Sequence, residues 1–347
     1  MSGRNDFSRV RQSLLLQGQP DRVPLWELHV DREVQQAFLG KPIVSEADEA
    51  QFWIEAGYDY VPVSAGLLAV GGVLSGEATR VKSHRYSVYS EREREVTWAA
   101  EGQGVIRTDE DFEHFPWPEP EDLTLDHVER MVAALPPRMG VIVVIGKIFT
   151  PVWMLMGFEG FAEACAFNRG LVAKMFARIG QLQIDCCLRA AKIPGVVGLW
   201  MSDDIAYGQG MLVSPALLRE HLFPWYRKLG EVLRAAGMPY IFHSDGNLWP
   251  VMDDLIACGF NALHPIEPKA MDAREVKAKV GDRLCLLGNI ELDRLARGTP
   301  EEIRDMTRRN IDELGAGGGY CVGSSNSVTY YVPLENYVAM IEEALRG

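Results

Sequence analysis

Ile241-Phe-His-Ser-Asp-Gly-Asn247 and, after an amphipathic stretch from Leu248 to Cys258, Asn261-Ala-Leu-His-Pro-Ile-Glu-Pro268 decide how the chain is read. Each is a short apolar run that stops abruptly in ionisable residues. As neighbouring parallel strands they would gather His243, Asp245, His264 and Glu267 at one rim, where barrel enzymes build their sites. Residues two apart on a strand share a face, so His243 and Asp245 look the same way. An imidazole beside a carboxylate is a metal-ligand pair, or an acid–base histidine with its orienting acid. Asp245-Gly-Asn247 also has plain turn chemistry.

Six further runs have the same form. They are Val23 to His29, Tyr58 to Val63, Val141 to Ile145, Val196 to Ser202, Leu284 to Leu287 and Gly319 to Val322. Continuous apolar runs suit parallel strands covered on both faces, and most of these are followed by a helical stretch. Eight such units predict a closed (β/α)8 TIM barrel over residues 1–347, read as one domain. An open doubly wound sheet is the competitor, but it usually carries a glycine-rich phosphate loop after its first strand. Here the first run leads into Glu27, His29 and Asp31. Between the second and third runs, residues 78–120 break the rhythm with Glu95-Val-Thr-Trp98 and Phe115-Pro-Trp-Pro-Glu-Pro120, and read as a small β excursion over the barrel mouth. Helix punctuation agrees: Ser214-Pro215 and Thr299-Pro300-Glu301-Glu302 are start signals, and Gly237 and Gly315 are stops.

The composition is that of an ordinary globular chain, 47% apolar and 24% charged. A net charge of −13 argues against nucleic acid or an anionic membrane surface as partner. No run reaches the ~18 apolar residues of a membrane span, and the start does not read as a secretory signal. The six cysteines form no Cys-x-x-Cys pair, so reduced thiols in a cytoplasmic protein are expected.

Candidate chemistry collects after the apolar runs. Met201-Ser-Asp-Asp204 ends the fourth run in adjacent carboxylates, of which one can face a site while the other caps a helix or meets water. Glu27 and His29 share a face and, with His243, offer donors suited to Zn²⁺ or another first-row ion. Pro265 and Pro268 would stiffen the loop that carries Glu267. Trp26, Trp153, Trp200 and Met201 could line a pocket for a planar or apolar substrate. Asn289 and Ser325 supply neutral donors on the closing strands.

These motifs resemble the uroporphyrinogen decarboxylase superfamily. The resemblance runs from about Asp21 to Glu343, through Asp21-Arg-Val-Pro-Leu-Trp-Glu27, Thr150-Pro-Val-Trp153, Gly157-Phe-Glu-Gly160, Met201-Ser-Asp-Asp204, His243-Ser-Asp-Gly-Asn247, His264-Pro-Ile-Glu-Pro268, Gly288-Asn-Ile290 and Ser324-Ser-Asn-Ser327. It implies a (β/α)8 barrel and one of two chemistries. One is cofactor-free decarboxylation of a carboxylated tetrapyrrole, with Asp203 or Asp204 as proton donor. The other is methyl transfer between a substrate and a corrinoid protein, usually with zinc. True decarboxylases carry arginines after the first strand, where this chain reads Glu27-Leu-His-Val-Asp-Arg-Glu33. Thiol-methylating members carry His-x-Cys and a later Cys, where this chain has His243-Ser-Asp245 and, near the later position, Ser325.

The chain is therefore more similar to the corrinoid-dependent O-demethylase branch. That branch implies a small, methoxylated aromatic donor, a corrinoid partner protein and zinc on mixed carboxylate and histidine ligands, for which the candidates in this chain are Glu27, His243 and Glu267. Asp245 would assist, His264 would join the catalytic groups, and Asp203 or Asp204 would orient the substrate. A homodimer is compatible with this reading. A barrel that binds a corrinoid or porphyrin without catalysis is a third reading.

Overall fold

Strands form where β-branched and aromatic residues run without polar interruption, as in Gly140-Val-Ile-Val-Val-Ile145. The computed structural model describes residues 5–67, 80–87, 90–99 and 104–346. Its strands, in chain order, are β1 (Tyr60–Ser64), β2 (Arg80–Ser87), β3 (Ser90–Ala99), β4 (Gly140–Ile145), β5 (Val196–Ser202), β6 (Ala206–Tyr207), β7 (Gly210–Met211), β8 (Tyr240–His243), β9 (Ala262–His264), β10 (Cys285–Ile290) and β11 (Tyr320–Ser324). Seven of them form one parallel sheet in the order β1-β4-β5-β8-β9-β10-β11. Helices in the connections shield it, which is why β10 is buried at every position.

Eight paired strands were expected, and the sheet has seven. The first run makes isolated parallel bridges instead, Leu25 to Val322 and Val30 to Val328. Pro24 contributes only its carbonyl, which accepts from Val322 N, and Trp26 N returns a bond to Val322 O. The expected excursion contains an antiparallel pair, β2 with β3. Its flanks, 68–79 and 100–103, lie outside the described residues.

The helical stretch expected from Phe161 to Ala191 is two helices, Phe158–Phe167 and Arg169–Ala190, preceded by Phe149–Met156. Asn168 divides the last two because its side chain accepts from Leu171 N and caps the second. That long helix buries Leu171, Val172, Met175, Phe176, Ile179 and Leu182 at helical spacing. At Gly180 it meets Trp225, whose ring lies 2.5 Å from where a Cβ would sit. The helix after Ser214-Pro215 is interrupted by a π turn, Leu218–Leu222, and resumes as Phe223–Ala235. Thr299 and Glu302 form the expected reciprocal cap. All six cysteines are free thiols, and no helix among the described residues is long and apolar enough to cross a membrane.

The parallel register sets the level of the rim. Ser202 of β5 pairs with His243 of β8, and His243 pairs with His264 of β9. Partners in a sheet share a face, so three polar side chains stand side by side at the carboxyl ends. At the opposite end, buried Asp59 precedes β1 and accepts from Arg9 Nη1 at 2.7 Å, with Arg22 Nη2 at 3.3 Å. Arg9 also binds Asp21, so the amino-terminal helix Phe7–Leu14 is tied beneath the sheet.

Replacing Arg9 by Ala removes the nearer partner of a buried carboxylate. The expected cost is about 2–4 kcal/mol, read from urea unfolding at pH 7. An Arg9→Ala protein as stable as the parent would remove the clamp from the account.

Candidate active site at the carboxyl rim

His243 and His264 face each other through their Nδ1 atoms at 2.7 Å, with ring centroids 5.0 Å apart. One Nδ1 must donate and the other accept, so the pair cannot carry protons on both. Burial lowers both pKa values, to about 4 for His243 and well below 6.5 for His264, so both rings are neutral at pH 7. For His243, Asp204 opposes the shift and Lys147 adds to it. Its free Nε2 points toward Asp204 Oδ1 at 3.5 Å.

Asp204 Oδ1 also accepts the peptide N–H of Asp245 at 3.0 Å. The Asn326 amide donates to both Asp245 oxygens, at 3.0 and 2.9 Å, and fixes that carboxylate. Burial, then Asp204 and Glu267, push Asp245 up to about 7, against Asn326 and Lys147. Asp204, His243 and Asp245 thus each offer a ligand atom within 4.8 Å of the others. Two carboxylate oxygens and a neutral imidazole nitrogen suit a first-row divalent ion. His264 behind the imidazole is the kind of second partner that holds a ligating ring in place.

The loop carrying these groups is pressed from above. Gly246 has φ +88°, and a Cβ there would lie 2.4 Å from the backbone of Tyr207, on the β6–β7 hairpin. Asn247 N donates to Tyr207 O at 3.0 Å, so hairpin and loop are joined by main chain.

Several expected site residues are placed elsewhere. Glu27 is fully buried and accepts from Ser324 N at 2.7 Å and Ser324 Oγ at 2.6 Å, outside the three-ligand cluster. Glu267 is also outside it, accepting from Gly246 N at 3.1 Å. The metal set expected as Glu27, His243 and Glu267 therefore shares only His243 with the cluster found. Of Asp203 and Asp204, either of which was expected to orient substrate while the other capped a helix or met water, Asp203 is the one whose carboxylate is occupied. It accepts from Ile148 N, Phe149 N, Thr150 N, Thr150 Oγ1 and Tyr226 OH at 2.7–2.9 Å and caps the helix Phe149–Met156. Burial raises its pKa and those donors oppose the rise.

The aromatic expectations divide. Trp26 and Trp200 are fully buried neighbours, ring centroids 4.8 Å apart, and Trp200 meets His264 edge-on at 5.1 Å. They floor the histidine pair. Trp153 packs with Phe158 on its own helical layer, and Met201 lies against Gly146 with Cys187 nearby. Neither lines the three-ligand cluster. Asn289, at φ 79°, donates to Ile266 O, and Ser325 Oγ accepts from Leu292 N. Ser325 also lines a crevice of about 170 Å³ with Asp245, Glu267, Lys269, Glu291 and Asn326.

Two residues escaped the sequence reading. Asn326 was visible only as one of a run of neutral donors, and no spacing rule pairs it with Asp245. Lys147 follows the Val141 to Ile145 run after Gly146; a lone cation at a strand end in so acidic a chain was the available signal.

The sequence matches the family model described as uroporphyrinogen decarboxylase (URO-D) over residues 101–346. No curated protein matches it. Among solved structures, a methyltransferase from Methanosarcina mazei is similar at a TM-score of 0.68 and 17% identity, covering 98% of each chain. A DUF72 family protein from Enterococcus faecalis reaches a TM-score of 0.30 at 10% identity, covering 67% of this chain and 86% of its own.

Glu27 gives a measurable signature. Burial pushes its pKa up to about 8 from 4.5, with Ser324 opposing, so the folded state holds a proton that the unfolded state has released. Its contribution to stability is whole below pH 4.5 and falls as pH rises toward 8. Glu27→Gln, which can still bond Ser324, is expected to flatten that slope and to exceed the parent at pH 8 by on the order of 1–3 kcal/mol. Urea midpoints between pH 5 and 8.5 check it; parallel curves for parent and variant would refute the assignment.

Proposed function

The chain belongs to the uroporphyrinogen decarboxylase family, and we propose that it is a methyltransferase moving a methyl group from a small methoxylated aromatic donor to a corrinoid protein. In this reading Asp204, His243 and Asp245 hold a divalent first-row ion such as zinc. The observation that carries it is the convergence of three ligand atoms within 4.8 Å at the carboxyl rim. The neighbouring methyltransferase of 0.68 TM-score shares the fold and is in keeping with it.

Bound there, the ion would supply Lewis acidity to an ether oxygen, easing loss of its methyl group. The chain's own groups do the rest. With an ion at His243 Nε2, the proton of that ring would sit on Nδ1 and His264 Nδ1, 2.7 Å away, would accept it. Asn326 holds Asp245 against rotation. Trp200 and Trp26 beneath the rings keep water out of the floor. Asp204, with its side chain 43% exposed, is the donor on the open side. The corrinoid would be brought by a partner protein, in the cytoplasm, and copies of this chain would pair as a homodimer.

In the same reading the Val23 to His29 segment is the eighth stave, closing a (β/α)8 barrel between β11 and β1. Its bridges to Val322 and Val328 support this on one side, and the bonds between Tyr60 OH and the Glu27 backbone on the other. The described residues then belong to one domain, and the β2–β3 pair would lie over the mouth. Cofactor-free decarboxylation of a carboxylated tetrapyrrole is the second reading, favoured by the matching family's own description. The charges around the rim favour methyl transfer over it: Asp204, Asp245, Glu267 and Glu291 stand against Lys147 and Lys269.

His243→Ala and Asp245→Ala are each expected to lower zinc or cobalt affinity by about 100-fold or more and to abolish methyl transfer, while His264→Phe costs about 10–100-fold in affinity. Elemental analysis with metal titration reads the first effect. An anaerobic assay with methoxylated aromatics and a reduced corrinoid protein reads the second. Full transfer after rigorous chelation would sink the metal assignment, and turnover of a carboxylated tetrapyrrole would favour the second reading.

A further inference from the structure

Following the sheet order, the acidic crevice lies beyond β8 and a second recess lies before it. The recess, about 240 Å³, opens between the ends of β1, β4 and β5 and is lined by Ser64, Gly146, Lys147, Gln183 and Ser202. It is built from the inside. Gln183, buried on the helix Arg169–Ala190, donates from Nε2 to Lys147 O at 2.8 Å and accepts Leu67 N on Oε1 at 3.2 Å. One amide therefore pins both connections that bound the recess. Gly146 turns at φ +93° between β4 and Lys147, where a Cβ would meet Met201 Sδ at 2.4 Å.

Lys147 is half-buried at the recess, and its ammonium has neither an ion pair nor a hydrogen-bond acceptor among the described residues. Lys41, Lys174, Lys269 and Lys279 have carboxylate partners, Lys277 binds the Gly318 and Gly319 carbonyls, and exposed Lys228 lies over the Trp225 ring. Lys192, the other lysine without an ionic or hydrogen-bond partner among the described residues, is exposed where Lys147 is half-buried. Yet 48 acidic residues are available against 35 basic ones. The charge on Lys147 reaches His243 and Asp245 electrostatically without pairing with either. Ser202 shares the recess with Lys147 and pairs in register with His243 on the neighbouring strand, so hydroxyl and ammonium line one recess beside the strand that carries the cluster's imidazole.

We propose that Lys147 and Ser202 form an anion subsite that takes a carboxylate on the methyl donor, making that donor a methoxylated aromatic acid and not a neutral ether. The assignment rests on the methyl-transfer reading for the identity of the ring it anchors. An ammonium at a recess with no internal partner gains from a ligand that brings the missing charge. One such cation suits a monoanion. A polycarboxylate would press its remaining charges on Asp204, Asp245 and Glu267.

Tryptophan fluorescence titration of the full chain with 4-methoxybenzoate and with 4-methoxybenzyl alcohol tests this. The parent is expected to bind the benzoate at least about tenfold more tightly, equivalent to about 1.4 kcal/mol. Lys147→Met and Lys147→Gln, each checked for an unchanged thermal transition, are expected to lose that preference while holding the alcohol as before. Lys147→Arg is expected to keep it. Absence of benzoate binding by the parent, equal binding of the two probes, or a preference that survives Lys147→Met would overturn the subsite. The anaerobic corrinoid assay separates the two readings. Transfer from a neutral ether, equal in parent and Lys147→Met and as fast as from the acid, removes the subsite and leaves methyl transfer standing. Lys147-dependent benzoate binding with no methyl reaching the corrinoid keeps the subsite and removes methyl transfer.

Discussion

The register that sets Ser202, His243 and His264 at one height is the constraint on which the rim depends. A shift of one residue in β8 would turn His243 outward into the aromatic layer of Tyr226 and Phe260, where Phe242 now packs. Because the register also buries both imidazoles, it removes their charge. Neutral rings can share a single bridging hydrogen and leave a lone pair free, which is the state a metal ligand needs. Electrostatics and sheet geometry are here the same fact.

Much of the architecture was readable because parallel strands buried on both faces must be apolar throughout, and their ends must be where polarity begins. The rim histidines and Asp245 were placed by that argument alone. What it left open or misplaced has physical causes. Asp203 and Asp204 are indistinguishable in sequence, and which of them faces the rim depends on where the amino end of the helix Phe149–Met156 arrives, 50 or so residues earlier in the chain. Glu27 looked like a ligand because its run ended in acids, but Ser324, 297 positions away, had the donors to retain it. Strand periodicity could not show that Pro24 leaves the first run with isolated bridges in place of a ladder.

Charge is distributed unevenly over the mouth, and the chain's total of −13 conceals this. Acids dominate the side of β9 to β11, while Lys147 and hydroxyls occupy the side of β1 to β5. A site between two such flanks imposes an orientation on a polar guest before any close contact is made.

Asp203 has a further consequence through its neighbour. Its carboxylate is gripped by three main-chain N–H groups and two hydroxyls, and the peptide that follows carries Asp204. The buried acid therefore works as a rivet, and the accessible one is the head that projects from it. Drift in the far helix would reach the rim as a change of aim at Asp204, with no rim residue altered.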